Sequence, residues 1–174
     1  YIRKGTRIRP FLHGGGQERN RRAGTVNVTG VVGMGAAAAL MRQRLSEYAE
    51  RERGLVERLW QGLTESIPQI RRNGHPERRV PGILNLCVSG VEGEAILGYL
   101  DMHGIMASSG SACTSGSLDP SHVLLAIGLP PEIAHGSIRL SLSGETTAEE
   151  IDFILETMPK VVARLRQMSP TWAG

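Results

Sequence analysis

A chain of 174 residues is long enough for one ordinary domain, and 40% hydrophobic with 21% charged residues is the composition of a globular protein, not of a disordered, collagenous or coiled-coil chain. No run approaches the roughly 18 uncharged apolar residues of a membrane span, since residues 31–41 are rich in Gly and Ala and Arg42 ends them. The net charge of +3 gathers early, in Arg3, Lys4, Arg7, Arg9, Arg19, Arg21 and Arg22, a cluster that suits phosphate; with 4% aromatic residues and no interleaved aromatic spacing, direct nucleic-acid binding has few stacking platforms.

Residues 1–27 read as an extended piece followed by a long polar loop, broken at His13-Gly14-Gly15-Gly16 and running to Gly24-Thr25. No apolar core followed by a small-residue cleavage site marks a secretory leader. From about Thr29, apolar residues at helical spacing through Leu40, Leu45, Tyr48, Leu55, Val56, Leu59 and Leu63 predict one long helix or two abutting ones, ending before Pro68. Residues 69–72 read as extended, Asn73-Gly74-His75-Pro76 as a turn, residues 83–88 as a strand and residues 92–102 as a helix.

Further along, residues 105–108 read as a short strand and residues 109–117 as a loop dense in Ser and Gly. Residues 120–127 read as helical and residues 136–142 as a strand. Thr147, followed by Glu149 and Glu150, caps a last amphipathic helix through Ile151, Ile154, Leu155, Met158, Val161, Val162 and Leu165. Strands alternating with helices indicate an α/β fold or an α+β sandwich.

Two cysteines in unlike settings, Cys87 and Cys113, argue against a disulfide framework and against a zinc site of cysteine pairs. None of the five histidines forms an i, i+4 pair, so no metal site is expected, and a reducing cytoplasm is the expected compartment. Cys113 lies in Ser108-Ser109-Gly110-Ser111-Ala112-Cys113-Thr114-Ser115-Gly116-Ser117, where small neighbours give the thiol no apolar shell; it is either a reactive loop thiol or an incidental one. Cys87 alternates with apolar neighbours and reads as a buried structural residue.

Arg139, in Ser137-Ile138-Arg139-Leu140-Ser141, reads as an arginine in a half-buried strand, where its planar fork needs an anion: a bound carboxylate, or a salt bridge to a nearby Asp or Glu. Thr25, after Gly24 and close to a helix start, offers a hydroxyl and nearby N–H groups to a phosphate, or is simply the N-terminal signal of that helix.

Four strings occur in order along the chain: Gly14-Gly15-Gly16-Gln17-Glu18-Arg19 with Arg22-Ala23-Gly24-Thr25; Val91-Glu92-Gly93-Glu94; Ser108-Ser109-Gly110-Ser111-Ala112-Cys113; and Ala134-His135-Gly136-Ser137-Ile138-Arg139-Leu140-Ser141. Together they resemble NifS-like cysteine desulfurases, pyridoxal-phosphate enzymes of the class-V aminotransferase group, and of these the branch with a long cysteine loop. The resemblance implies an α/β fold in which residues 1–45 are the tail of the large cofactor domain of a fold type I enzyme and residues 46–174 its small C-terminal α+β domain.

It also implies an activity, the removal of sulfur from L-cysteine to give L-alanine and a persulfide. Cys113 then matches the nucleophile and sulfur carrier, Arg139 the grip on the substrate carboxylate, and Thr25 a contact to the pyridoxal 5'-phosphate of the other subunit in a homodimer. The implied partners are L-cysteine and a sulfur acceptor or iron–sulfur scaffold protein, with no membrane and no direct nucleic-acid contact. The Schiff-base lysine is expected upstream of Tyr1, because neither Lys4 nor Lys160 stands in a matching context; the chain alone is then expected to be inactive. A sulfur-relay or scaffold-docking module without its own cofactor, and a selenocysteine lyase, are the alternatives to this reading.

Overall fold

The structure, a computed structural model, describes residues 1–109, 120–169 and 172. The chain divides into two compact units, Tyr1–Leu45 and Ser46–Gly174.

In the first unit, most of residues 1–15 has no regular structure. Strands β1 (Gly16–Gln17) and β2 (Arg22–Ala23) then pair antiparallel, Gly16 with Ala23 and Gln17 with Arg22. The sequence predicts an uninterrupted loop here, since two-residue strands are too short to show alternation. Glu18, Arg19 and Asn20 close the hairpin with φ of 53°, 58° and 62°, three consecutive left-handed residues. The Arg22 guanidinium folds back to donate to the carbonyls of Ala23 (3.3 Å) and Thr25 (3.4 Å). Helix α1 (Val28–Ser66) follows as one uninterrupted helix of 39 residues. Its start is capped by Asn27, whose Oδ1 accepts from the Gly30 amide at 2.9 Å.

The second unit is built on a three-stranded antiparallel sheet in the order β3 (Ile70–Arg72), β4 (Ile83–Val88), β5 (Ser137–Ser141). One face is dry. Leu84, Leu86 and Val88 of β4 and Ile138 and Leu140 of β5 meet Val56, Leu59 and Leu63 of α1, Ile96 and Leu100 of α2 (Gly93–Asp101), and Ile151, Met158, Val161, Val162 and Leu165 of α5 (Ala148–Met168). The buried α1 residues are three and four apart, the spacing of one helical face.

Thr147 and Glu150 form a full capping box at the start of α5: Thr147 Oγ1 accepts from the Glu150 amide (3.2 Å) and Glu150 Oε2 from the Thr147 amide (2.8 Å). On the reverse face, Cys87 packs with Leu124 of α3 (His122–Ala126), Leu129, and Ala134 of α4 (Pro131–Ala134). The content is therefore that of an α/β protein, arranged as helices against an antiparallel sheet.

Three further elements differ from the sequence expectation. Residues 105–108 contribute a single bridge, Ser108 to Arg139, instead of a strand, because Gly104 turns with φ of 75° and Met106 stays exposed. The helix expected over 120–127 shortens to α3. Helix α4 has no counterpart in the sequence expectation, which places no element between residues 127 and 136; Pro131 opens it, a proline at the first helical position being favourable. Of the loop expected over 109–117, only Ser109 belongs to the described residues.

Two motif glycines fix where β5 and α2 begin. The Gly93 amide donates to the His135 carbonyl (2.9 Å) and the Val88 amide to that of Gly136 (3.0 Å). A Cβ on Gly93 would stand 3.1 Å from the His135 oxygen and nearer still to that of Ser137; one on Gly136 would stand 3.0 Å from the Val91 oxygen and nearer to that of Val88.

Candidate functional site

Directly paired residues of an antiparallel sheet share a face, and successive residues alternate between faces. The residues of β4 and β5 that do not enter the core are Ile83, Asn85 and Cys87, paired respectively with Ser141, Arg139 and Ser137. Helices α3 and α4 cover the Cys87 end of this reverse face. Arg139, further along, is exposed.

Arg139 sits in a polar row that crosses the sheet. Asn73 continues the β3 register, its amide donating to the Asn85 carbonyl at 2.9 Å, and its Nδ2 donates to Asn85 Oδ1 at 2.7 Å. Asn85 pairs with Arg139. On the far side of β5, Ser108 and Arg139 exchange both backbone hydrogen bonds, Ser108 N to Arg139 O (3.0 Å) and Arg139 N to Ser108 O (2.6 Å). The order across the sheet is thus Asn73, Asn85, Arg139, Ser108.

The Ser108 hydroxyl donates to the Ser109 carbonyl (2.9 Å), at the start of the segment that carries Cys113. Cys113 itself lies outside the described residues.

The sequence expectation of a half-buried Arg139 needs correction. Flanking apolar residues do not bury it, because Ile138 and Leu140 point to the core and leave Arg139 on the opposite, open side. It has no ion pair with a described residue, so the salt-bridge alternative finds no partner among them.

Cys87 is buried, and desolvation holds its thiol above the ordinary value although the hydrogen bond from Asn73 Nδ2 (3.1 Å) and the charge of Arg71 pull the other way. A buried neutral thiol is a poor nucleophile.

Thr25 is exposed in the first unit, next to Gly24 with its φ of 91°. Its carbonyl is held by Arg22, while its hydroxyl makes no hydrogen bond to a described residue. The helix-signal alternative falls to Asn27, which is the residue that caps α1. Lys160 pairs with Glu156 (2.8 Å) on the exposed side of α5, and α5 packs on the sheet face opposite to Arg139. Among the described residues no group of three or more His, Cys, Asp or Glu could hold a metal ion. No described helix is long and apolar enough to cross a membrane.

Sequence reasoning did not single out Asn73, Asn85 or Ser108. The available signal was Asn85 itself, one amide inside the otherwise apolar Ile83-Leu84-Asn85-Leu86-Cys87-Val88.

The profile of the class-V aminotransferases matches residues 2–154. The chain is similar to the cysteine desulfurase IscS of Clostridium botulinum, with 49% identity over an alignment of 174 positions that covers 99% of this chain and 44% of that protein. It is likewise similar to cysteine desulfurase 2 of Trichormus variabilis, 55% identical over 170 residues, 98% of this chain and 42% of that one. A NifS-like protein of known structure superposes with a TM-score of 0.83 at 35% identity, over 95% of this chain and 42% of its own. The chain therefore spans less than half the length of the relatives it matches.

Proposed function

The chain belongs to the class-V aminotransferase family, and from that premise we propose that it is the C-terminal part of a cysteine desulfurase. In this reading the parent enzyme uses pyridoxal 5'-phosphate to remove sulfur from L-cysteine, releases L-alanine, and leaves a persulfide on Cys113 for an acceptor or iron–sulfur scaffold protein in the cytoplasm. Residues 1–45 are the tail of the large cofactor domain and residues 46–174 the small domain.

One observation carries the reading at the level of chemistry: Arg139 offers an exposed guanidinium without an ion-pair partner among the described residues, backbone-paired to Ser108 just ahead of the Cys113 segment. A planar fork of donors fits a carboxylate in bidentate fashion, so Arg139 binds and orients the α-carboxylate of the substrate. The identities of 49% and 55% to proteins named cysteine desulfurase support the same assignment.

The described residues fit the cofactor in part. Thr25, with an exposed hydroxyl not bonded to any described residue and Arg22 beside it, suits a phosphate edge; we assign it to the cofactor bound in the other subunit of a homodimer. Lys160 does not suit the covalent anchor, being paired with Glu156 on the layer behind the sheet. When bound, the cofactor supplies an electron sink for the bonds around the substrate Cα and Cβ.

The part played by this chain is nucleophilic. The Cys113 thiolate attacks the substrate sulfur; a sulfur–sulfur bond forms as the Cβ–S bond breaks, and the electron pair of the broken bond remains on carbon, which takes up a proton to give L-alanine. Arg139 keeps the carboxylate fixed while this happens.

The test is intact mass spectrometry of the full-length enzyme with pyridoxal 5'-phosphate and L-cysteine. The expected result is the gain of one sulfur atom on the peptide holding Cys113, with alanine released, and neither in Cys113→Ser. Alanine release that persists in Cys113→Ser would remove the thiol from the mechanism.

A further inference from the structure

The row that carries Arg139 holds a second donor group suited to the same anion. Asn85 is half-buried and directly paired with Arg139, so the two side chains leave the same face of the sheet. Such pairs have Cβ atoms about 4.5–5.5 Å apart, within the span of one carboxylate with its two hydrogen-bonding arms. Asn73 holds the Asn85 backbone through its amide bond to the Asn85 carbonyl (2.9 Å) and the Asn85 side chain through the Nδ2 bond to Asn85 Oδ1 (2.7 Å). The bond from Asn73 to Oδ1 orients the Asn85 amide, and its Nδ2, a donor only, makes no hydrogen bond to a described residue.

A neutral donor is also the physically sensible companion for Arg139. A second cation would repel the guanidinium, and a carboxylate at this position would neutralise it and compete with the substrate. An amide held by its oxygen adds a hydrogen bond to the bound carboxylate without altering the charge of the site.

We propose that Asn85 is a second substrate-binding residue, its Nδ2 donating to the α-carboxylate that Arg139 grips, and that Asn73 is a positioning residue which aims the Asn85 amide. The proposal rests on the reading of Arg139 as the carboxylate grip.

The test uses the full-length holoenzyme and compares Asn85→Asp, Asn85→Ala, Asn73→Ala and Arg139→Ala. Losing one hydrogen bond to a charged group lowers kcat/KM for L-cysteine by about tenfold to a hundredfold, and the loss is expected in KM. The inhibition constant of L-alanine should rise in step with KM, while that of L-alaninol, which lacks the carboxylate, stays where it is.

Asn85→Asp decides between binding and mere support. It has the size of asparagine and still accepts from Asn73, so a purely structural role would survive it. The carboxylate role predicts a KM higher than in Asn85→Ala. An unchanged KM in Asn85→Asp overturns the proposal. Should neither Asn85 variant fold, Asn73→Ala reads the same KM with Asn85 in place but released, and an unchanged value there overturns it equally. If Arg139→Ala itself leaves KM and the L-alanine constant unmoved, it is the underlying grip that fails; if Arg139→Ala raises both and the asparagine variants raise neither, only the role of Asn85 fails.

Discussion

Cys87 carries a cost of ionisation that depends on where it is held. Burial raises its pKa, and the opposing pull of Asn73 and Arg71 does not cancel that. A group whose folded pKa lies above the unfolded value of about 8.5 contributes stability that is fully present below that pH and is lost as pH rises through the folded value. Cys87→Ala removes this titration together with packing in the cluster of Leu124, Leu129 and Ala134. Urea titrations should therefore show a deficit of about 1 kcal/mol for Cys87→Ala near neutrality, narrowing towards pH 10; a deficit constant with pH would mean that the thiol does not ionise differently in the two states. Cys87 was readable as buried from its alternating neighbours. Arg139 was not readable as exposed, because the same alternation that puts Ile138 and Leu140 in the core says nothing about whether the opposite face is covered. Only α3 and α4, one of them hidden behind a double proline, decide that.

At the scale of elements, the two tight glycines make the junction between β4, α2 and β5 a matter of backbone touching backbone. Gly93 and Gly136 occur inside two of the strings that suggest the family, and their reason is packing: each stands where a Cβ would press on two backbone carbonyl oxygens, one of them in a strand, Ser137 of β5 for Gly93 and Val88 of β4 for Gly136. Gly93→Ala is expected to cost about 1–3 kcal/mol, the range for overpacking, and to lower the urea midpoint without changing the slope. Gly98→Ala, in the same helix with open space around its Cβ, is the comparison and should be neutral or stabilising. Equal effects at the two sites would refute the packing argument. The elements that were legible in the sequence are those set locally: β4 by its apolar run around Asn85, α5 by the Thr147–Glu150 cap. The segment 105–108 was over-read because a short apolar run is equally at home in a strand or in an extended edge held by one bridge.

At the scale of the whole molecule, α1 is one helix whose two ends have different means of support. From Val56 onward it buries Val56, Leu59 and Leu63 in the core of the second unit. Residues 28–45 bury no side chain: Val28, Val31, Val32, Met34, Leu40, Met41 and Leu45 are all exposed, and Ala23 is the one buried apolar residue of the first unit. Gly30, Gly33 and Gly35 weaken this stretch further, at about 1 kcal/mol each relative to alanine. Helices in water take most of their stability from packing, so uniform helical geometry does not imply uniform stability. Hydrogen exchange on the 174-residue chain should show strong protection over residues 56–66 and little over residues 28–45. In the complete enzyme proposed above, where the first unit is continuous with a large domain, residues 28–45 should gain protection while residues 56–66 stay as they are. Equal protection along α1 in the 174-residue chain would mean that the apolar residues of its first half are already covered, by self-association, and dilution would then have to strip that protection away.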